Sequence, residues 1–414
     1  MNSKIVISGM GILCSVANNV SEFLSALKQG RSGIATPAHG QFHPANVHAA
    51  ATIQHFNFEE QLSAIPDVPA SMYQHAERLG RRAPLPIQSS IICALQSWCA
   101  ARLFQTKFSA ERVGIILACN YAFDDYLYKA SQKFSLNPEY LSPRFALHAL
   151  DTDHIGVISE LLNLQGEGCV VGAASASGNV ALIKASQLIR SGELDACLVI
   201  GALSDLSPLA LQAFHNMGAA GKACRPFDVG HDGFIYGQGC GAVMLESECF
   251  MANRQAEPLA EFLSGTTCLA GTSLPAPSCA AEARAMLGSL KKAGLAIKDV
   301  DYINAHGTST PMGDITELEA IKQVFSEDIH RIWINSTKGM LGHCLFSAGI
   351  IEAIACIVQL RNSFVHPNLN LSHKIREGFL FAPDTFVTAN LKIAMSNSFG
   401  FSGFNSSLLL KKVG

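Results

Sequence analysis

The segment Cys169-Val-Val-Gly-Ala-Ala-Ser175-Ala-Ser-Gly-Asn-Val180 constrains this chain more than any other. A short apolar run ends in a turn of small residues. An apolar-periodic stretch then runs to about Arg190 and stops at Ser191-Gly192. That order reads as strand, sharp turn and helix. Strand-like runs recur near 4–9, 112–118, 169–173, 196–203 and 240–246, and again near 299–306, 332–336, 393–398 and 406–411. Helical stretches separate them. Such alternation predicts an α/β fold, a parallel-type sheet with helices on its faces. The least patterned stretch, 250–258, divides the chain into halves of 1–255 and 256–414. No sequence repeat relates the two. Residues 120–165 interrupt the rhythm with Tyr121, Phe123, Tyr126, Tyr128, Phe134, Tyr140 and Phe145. Packing under a loop or across a subunit interface is the expectation for such a set.

Of the 414 residues, 49% are hydrophobic and only 15% charged. A chain so rich in core residues is expected to bury apolar surface between subunits as well. A net charge of −3 without basic runs argues against nucleic-acid binding. The N-terminal apolar run is too short for a signal peptide. No run reaches the roughly 18 apolar residues of a membrane span. The thirteen cysteines show no Cys-x-x-Cys pairing, and many, such as Cys93, Cys197 and Cys356, lie in apolar stretches. Buried, reduced thiols and a cytoplasmic compartment are expected. No Cys/His cluster has metal-ligand spacing, so no metal is expected.

Ser175 falls at a helix N-terminus, where backbone N–H groups and the helix dipole favour negative charge. The turn is not a Gly-x-Ser-x-Gly elbow, because Ala173 and Ser177 hold the glycine positions. His306 follows the strand-like Val300–Ala305 and opens the polar turn Gly-Thr-Ser-Thr-Pro-Met-Gly-Asp. His343 closes Lys338-Gly-Met-Leu-Gly-His343, with Glu352 on the helix beyond. Near the C-terminus stands Asn397-Ser-Phe399-Gly-Phe401-Ser-Gly-Phe404-Asn.

Taken together, these segments resemble the β-ketoacyl-carrier-protein synthases of the thiolase-fold superfamily, over nearly the whole chain. The resemblance implies two similar βαβαβαββ halves packed as five layers, usually as a homodimer. It implies that His306 and His343 hold a thioester carbonyl oxygen. Lys338 and Glu352 would fix the histidine tautomers and charge. Phe401 would gate the site beside Phe399, and its N–H, with that of residue 175, would form an oxyanion hole. Three departures stand out. The family's acyl-accepting cysteine is Ser175. Ser402 replaces a glycine, beside the bulky Phe404. His231 and Gln238 replace the family's usual Arg and acid around Arg225-Pro-Phe-Asp228 and Asp232-Gly-Phe.

A helix dipole lowers a thiol pKa far enough for catalysis, but a serine hydroxyl needs a dedicated base held by a third group. Decarboxylation needs no nucleophile. It needs stabilisation of the enolate that develops on the thioester oxygen. The pattern is similar to the stand-alone decarboxylating ketosynthase homologues of bacterial polyketide pathways, which carry Ser for Cys. Those convert malonyl-carrier protein to acetyl-carrier protein and CO2, and supply an HMG-CoA-synthase-like partner for β-branching. Decarboxylation of a malonyl-loaded acyl carrier protein is therefore the expected activity. Two alternatives stay open: an oxygen-nucleophile acyltransferase or condensing enzyme using Ser175, and a non-catalytic partner subunit of the chain-length-factor type. An ordinary synthase using another cysteine would need a second strand–turn–helix site, and none is present. No cofactor is expected, because the phosphopantetheine arm belongs to the carrier-protein substrate. Carrier proteins are acidic, so Arg78, Arg81, Arg82 and Arg225 are the expected docking residues. A solvated basic face is the competing reading.

Overall fold

The computed structural model describes residues 4–254, 256–272 and 275–413. The first half contributes β1 (Ile5–Cys14), β2 (Val113–Ala118), β3 (Gly168–Val171), β4 (Ala196–Gly201) and β5 (Gly239–Ser247). The second contributes β6 (Ala260–Leu269), β7 (Tyr302–Asn304), β8 (Trp333–Asn335), β9 (Ile393–Gly400) and β10 (Phe404–Lys411), and adds a two-residue strand, Leu380–Phe381, parallel to β8 at its outer edge. Spatial order in the first set is β3-β2-β4-β5-β1, and in the second β8-β7-β9-β10-β6. Both follow the order third-second-fourth-fifth-first. The first two contacts in each set are parallel and the last two antiparallel. The two halves are thus one topology used twice. Residue 255, the expected end of the first half, lies outside the described residues. The sets join where β1 pairs antiparallel with β6, Ile5 opposite Phe262 and Ile7 opposite Ala260.

Helices fill the remaining layers. On the outer face of the first half lie α1 (Leu85–Ala100) and α2 (Thr152–Leu162). Between the halves lie α3 (Ser177–Arg190) and α6 (Ala348–Asn362), each touching strands of both sets. Covering the second half are α4 (Cys279–Ala293) and α5 (Pro311–Phe325). The result is the five-layered α/β arrangement of the thiolase fold. Every residue of α6 from Ala348 to Leu360 is buried, as expected for a helix apolar on all sides. Leu345–Asn362 has the length and hydropathy of a membrane span, but it is this core helix.

The sequence carries no strand signal at β6, because its centre reads Leu-Ser-Gly-Thr-Thr. Pairing on both sides holds it as a strand nonetheless, and Ser264 donates to the Ser289 carbonyl on α4 at 2.7 Å. The aromatic stretch divides. Phe123 is buried, 4.8 Å from the His154 ring, and Tyr126 stacks on Phe145 at 6.2 Å. Tyr121, Phe134 and Tyr140 are exposed.

Candidate active site

Past the end of β3 the backbone reverses through Ala174, whose φ of 48° lies in the left-handed region. A non-glycine residue there is uncommon and marks a constrained turn. Two hydrogen bonds hold it: the Ala173 N–H donates to Ser177 Oγ at 2.8 Å, and that hydroxyl donates to the Ala174 carbonyl at 2.6 Å. Ser175 lies at the apex and α3 begins two residues later. The Phe399–Phe401 segment presses on the turn. A Cβ at Gly400 would sit 2.6 Å from the Ala173 carbonyl and 3.3 Å from the Ala176 nitrogen, so only glycine permits the approach. Ser402 takes a φ of 61°, keeping the conformation expected of the glycine it replaces.

His343 reaches Ser175 across 168 positions of sequence. Its Nε2 lies 2.8 Å from Ser175 Oγ, and its Nδ1 accepts the Leu345 N–H at 3.2 Å. Burial, then the charge of Lys338, hold the ring well below the usual histidine pKa. A neutral ring whose Nδ1 accepts carries its proton on Nε2, a tautomer assigned from these partners. Nε2–H therefore donates to Ser175, and the serine faces no base.

The His306 ring stands 5.5 Å from that of His343 at 83°, and 5.8 Å from Phe399. Burial first, then Lys338 and His343, push its pKa well below the usual value. Its main chain is fixed by Glu317 on α5, which accepts the His306 and Gly307 N–H groups at 2.8 Å each. Lys338 donates to Glu352 with both side chains buried. The ion pair places a cation near two imidazoles and so disfavours a second one on either ring.

Ser175, His306, His343, Phe399 and Phe401 line one cavity of about 1250 Å³. Its walls include Leu206, Phe214, Met217, Phe234, Leu345 and Phe346. Two neutral imidazoles beside an apolar space can donate to an oxygen gaining negative charge without themselves becoming ionised. Among the described residues no lysine or arginine lines this cavity. Arg78 is exposed, 3.6 Å from Glu160, and Arg81 and Arg82 are exposed beside it. Arg225 is closer: its N–H donates to Ser309 Oγ, between the cavity residues Thr308 and Thr310. The remaining departures are structural. His231 Nδ1 lies 3.4 Å from Asp314, and Gln238 bridges Asp205 and the Ile53 N–H. Among the cavity residues that the sequence does not single out are two buried carboxyls, Glu282 and Glu317. Only the spacing of Glu317, one turn after Asp314 in α5, signals a role.

A duplicated α/β half that offers a helix-start residue to two neutral histidines is the thiolase-fold scaffold for acyl-thioester chemistry. The chain belongs to the β-ketoacyl synthase family: the family's N-terminal domain model matches residues 2–249 and its C-terminal domain model residues 263–372. It is 30% identical over 419 residues to the polyketide biosynthesis malonyl-ACP decarboxylase PksF of Bacillus subtilis, covering 99% of this chain and 97% of that protein. It is 31% identical over 421 residues to 3-oxoacyl-[acyl-carrier-protein] synthase 2 of Staphylococcus aureus, covering 99% of each. Among solved structures, the ishigamide ketosynthase/chain length factor superposes with a TM-score of 0.89 at 25% identity, over 100% of both chains.

Proposed function

We propose that this protein decarboxylates a malonyl group carried on an acyl carrier protein, giving acetyl-carrier protein and CO2 without condensation. One observation carries the reading: His343 Nδ1 accepts the Leu345 N–H while Nε2 lies 2.8 Å from Ser175 Oγ, which assigns the proton to Nε2 and leaves the residue in the family's nucleophile position with no base to activate it. The same proton suits the other task. A thioester carbonyl oxygen in the cavity would accept from His343 and His306 as the enolate forms. Phe399 and Phe401 give the malonyl carboxylate an apolar neighbourhood, which favours neutral CO2 over the anion. With no acyl group on residue 175, the enolate has nothing to attack and is protonated.

The similarity to a malonyl-ACP decarboxylase supports this reading. It also supports a place in polyketide biosynthesis; there the acetyl units would go to an HMG-CoA-synthase-like enzyme for β-branching. The phosphopantetheine arm arrives with the carrier protein, which would dock on the exposed arginines Arg78, Arg81, Arg82 and Arg225. The working form is a homodimer. The edge strand β3 pairs on one side only, and Phe134, Leu136, Tyr140, Leu147 and Leu150 are exposed. An open edge and an apolar patch both favour a second copy.

Mass spectrometry of malonyl-carrier protein incubated with the enzyme tests the activity. Loss of CO2 with no protein adduct is expected. An acyl adduct on Ser175 would instead establish covalent catalysis. An unchanged substrate would favour a non-catalytic partner subunit, the reading that the likeness to a ketosynthase/chain length factor keeps in view.

A further inference from the structure

Glu282, in the first turn of α4, is only 1% exposed and lines the cavity that holds Ser175, His306 and His343. Among the described residues its Oε2 has no hydrogen-bond partner. Leaving a buried polar oxygen unpaired is costly, and this one belongs to a residue of the cavity wall, where a bound group can meet it.

A second carboxyl, Glu317, lines the same cavity in opposite surroundings. It accepts the His306 and Gly307 N–H groups and the Asn397 side-chain amide, the last at 3.3 Å. Asn397 Nδ2 also lies 3.5 Å from the sulfur of Met286, one turn along α4 from Glu282. The first turn of α4 thus lies beside the chain of contacts from Asn397 through Glu317 to His306. Three donors favour the charged form of Glu317, although burial still lifts its pKa to about 7. Glu282 has no such donors. Burial first, and the neighbouring Glu317 second, push it well above the usual carboxyl range. When two carboxyls share a site in contrasting environments, the one without donors keeps its proton and the roles of acid and anion separate.

We propose that Glu282 is the general acid that protonates the enolate carbon across the cavity, completing the acetyl group. The inference rests on the decarboxylation reading. The bond between C2 and the malonyl carboxyl breaks, CO2 leaves, and the electron pair stays as the enolate. The O–H bond of Glu282 then breaks and a C2–H bond forms. The carboxylate left on Glu282 regains a proton from water, so each turnover consumes one proton.

Glu282→Gln keeps the shape but has no acidic proton. With malonyl-carrier protein it should form acetyl-carrier protein at least about 100-fold more slowly, the usual contribution of a positioned acid. The solvent deuterium isotope effect on turnover should rise, because protonation then limits the rate. Glu282→Asp, which retains a carboxyl, should recover part of the loss. A near wild-type rate and an unchanged isotope effect in Glu282→Gln would overturn the role. So would equal losses in Gln and Asp variants, which would mark a packing defect. If wild-type protein releases no CO2, no enolate forms, and the decarboxylation reading and the role of Glu282 are both overturned.

Discussion

Ser175 differs from the family's cysteine by one atom, and the consequence is one of acidity. A thiol at a helix start ionises readily. A hydroxyl that receives a hydrogen bond from His343 does not. Ser175→Ala should therefore keep substantial decarboxylation, losing at most about 0.5–1.5 kcal/mol, up to roughly tenfold in rate. A loss of several orders of magnitude would mean covalent catalysis. Ser175→Cys should become sensitive to iodoacetamide, read as a mass shift on that residue. The histidines face the opposite test. Each would donate to the developing oxyanion, so His306→Ala and His343→Ala should each slow CO2 release by about 100- to 1000-fold with folding intact. Near-normal release from either variant would remove it from the mechanism. At this scale the sequence was informative, because His306, His343 and Lys338 each sit in a short motif whose residues also touch in space. Glu282 was silent, since an isolated glutamate in a helix of alanines reads as a surface residue until its burial is known.

The site exists because two helices cross at close range. Gly178 and Gly349, each the second residue of its helix, meet where α3 passes α6. A Cβ at Gly349 would fall 2.7 Å from the Asn179 nitrogen, and one at Gly178 would fall 2.6 Å from the Ile350 nitrogen. Both nitrogens are backbone atoms, so neither position can relax by turning a side chain. Gly349→Ala should lower unfolding free energy by about 1–3 kcal/mol, measured by urea denaturation, and reduce turnover as Ser175 moves from His343. A wild-type denaturation midpoint would show that the helices separate without cost. The ends of α3 and the main strands were legible from periodicity and small-residue turns. β6 was not, because its strand character comes from partners on β1 and β10 rather than from its own residues.

Two properties belong to the whole molecule. The first is subunit assembly: sedimentation at micromolar concentration should give a particle of two chains, and a single-chain particle would exclude the homodimer. The second is proton linkage. His154 is fully buried beside the Phe123 ring, and burial, outweighing the nearby Asp151 carboxylate and backbone contacts, lowers its pKa from 6.5 to about 4. Between those values the unfolded chain binds a proton that the folded one refuses. This contribution to stability is complete above pH 6.5 and shrinks as pH falls toward 4. At pH 5 the loss amounts to about 2 kcal/mol. In His154→Leu the drop in stability from pH 8 to pH 5 should be smaller by about that amount. An identical drop in variant and wild type would show that His154 does not titrate with unfolding.

By itself the sequence determined the alternation of strands and helices, the Ser175 turn, and the motifs holding both histidines, Lys338, Glu352 and the phenylalanine loop. Each of these is written in residues close together along the chain, where local periodicity and turn chemistry act. Tertiary structure decided the rest. The duplication of the halves shows only in strand order, because β1 and β6 share topology without sharing a residue pattern. The position of the His343 proton depends on Ser175 from the other half and on the Leu345 N–H, whose direction is set by the turn into α6. The protonation of Glu282 depends on Glu317 and on a cavity wall gathered from distant segments. Hydrogen-bond direction and desolvation are properties of assembled neighbours, and no single stretch of chain contains them.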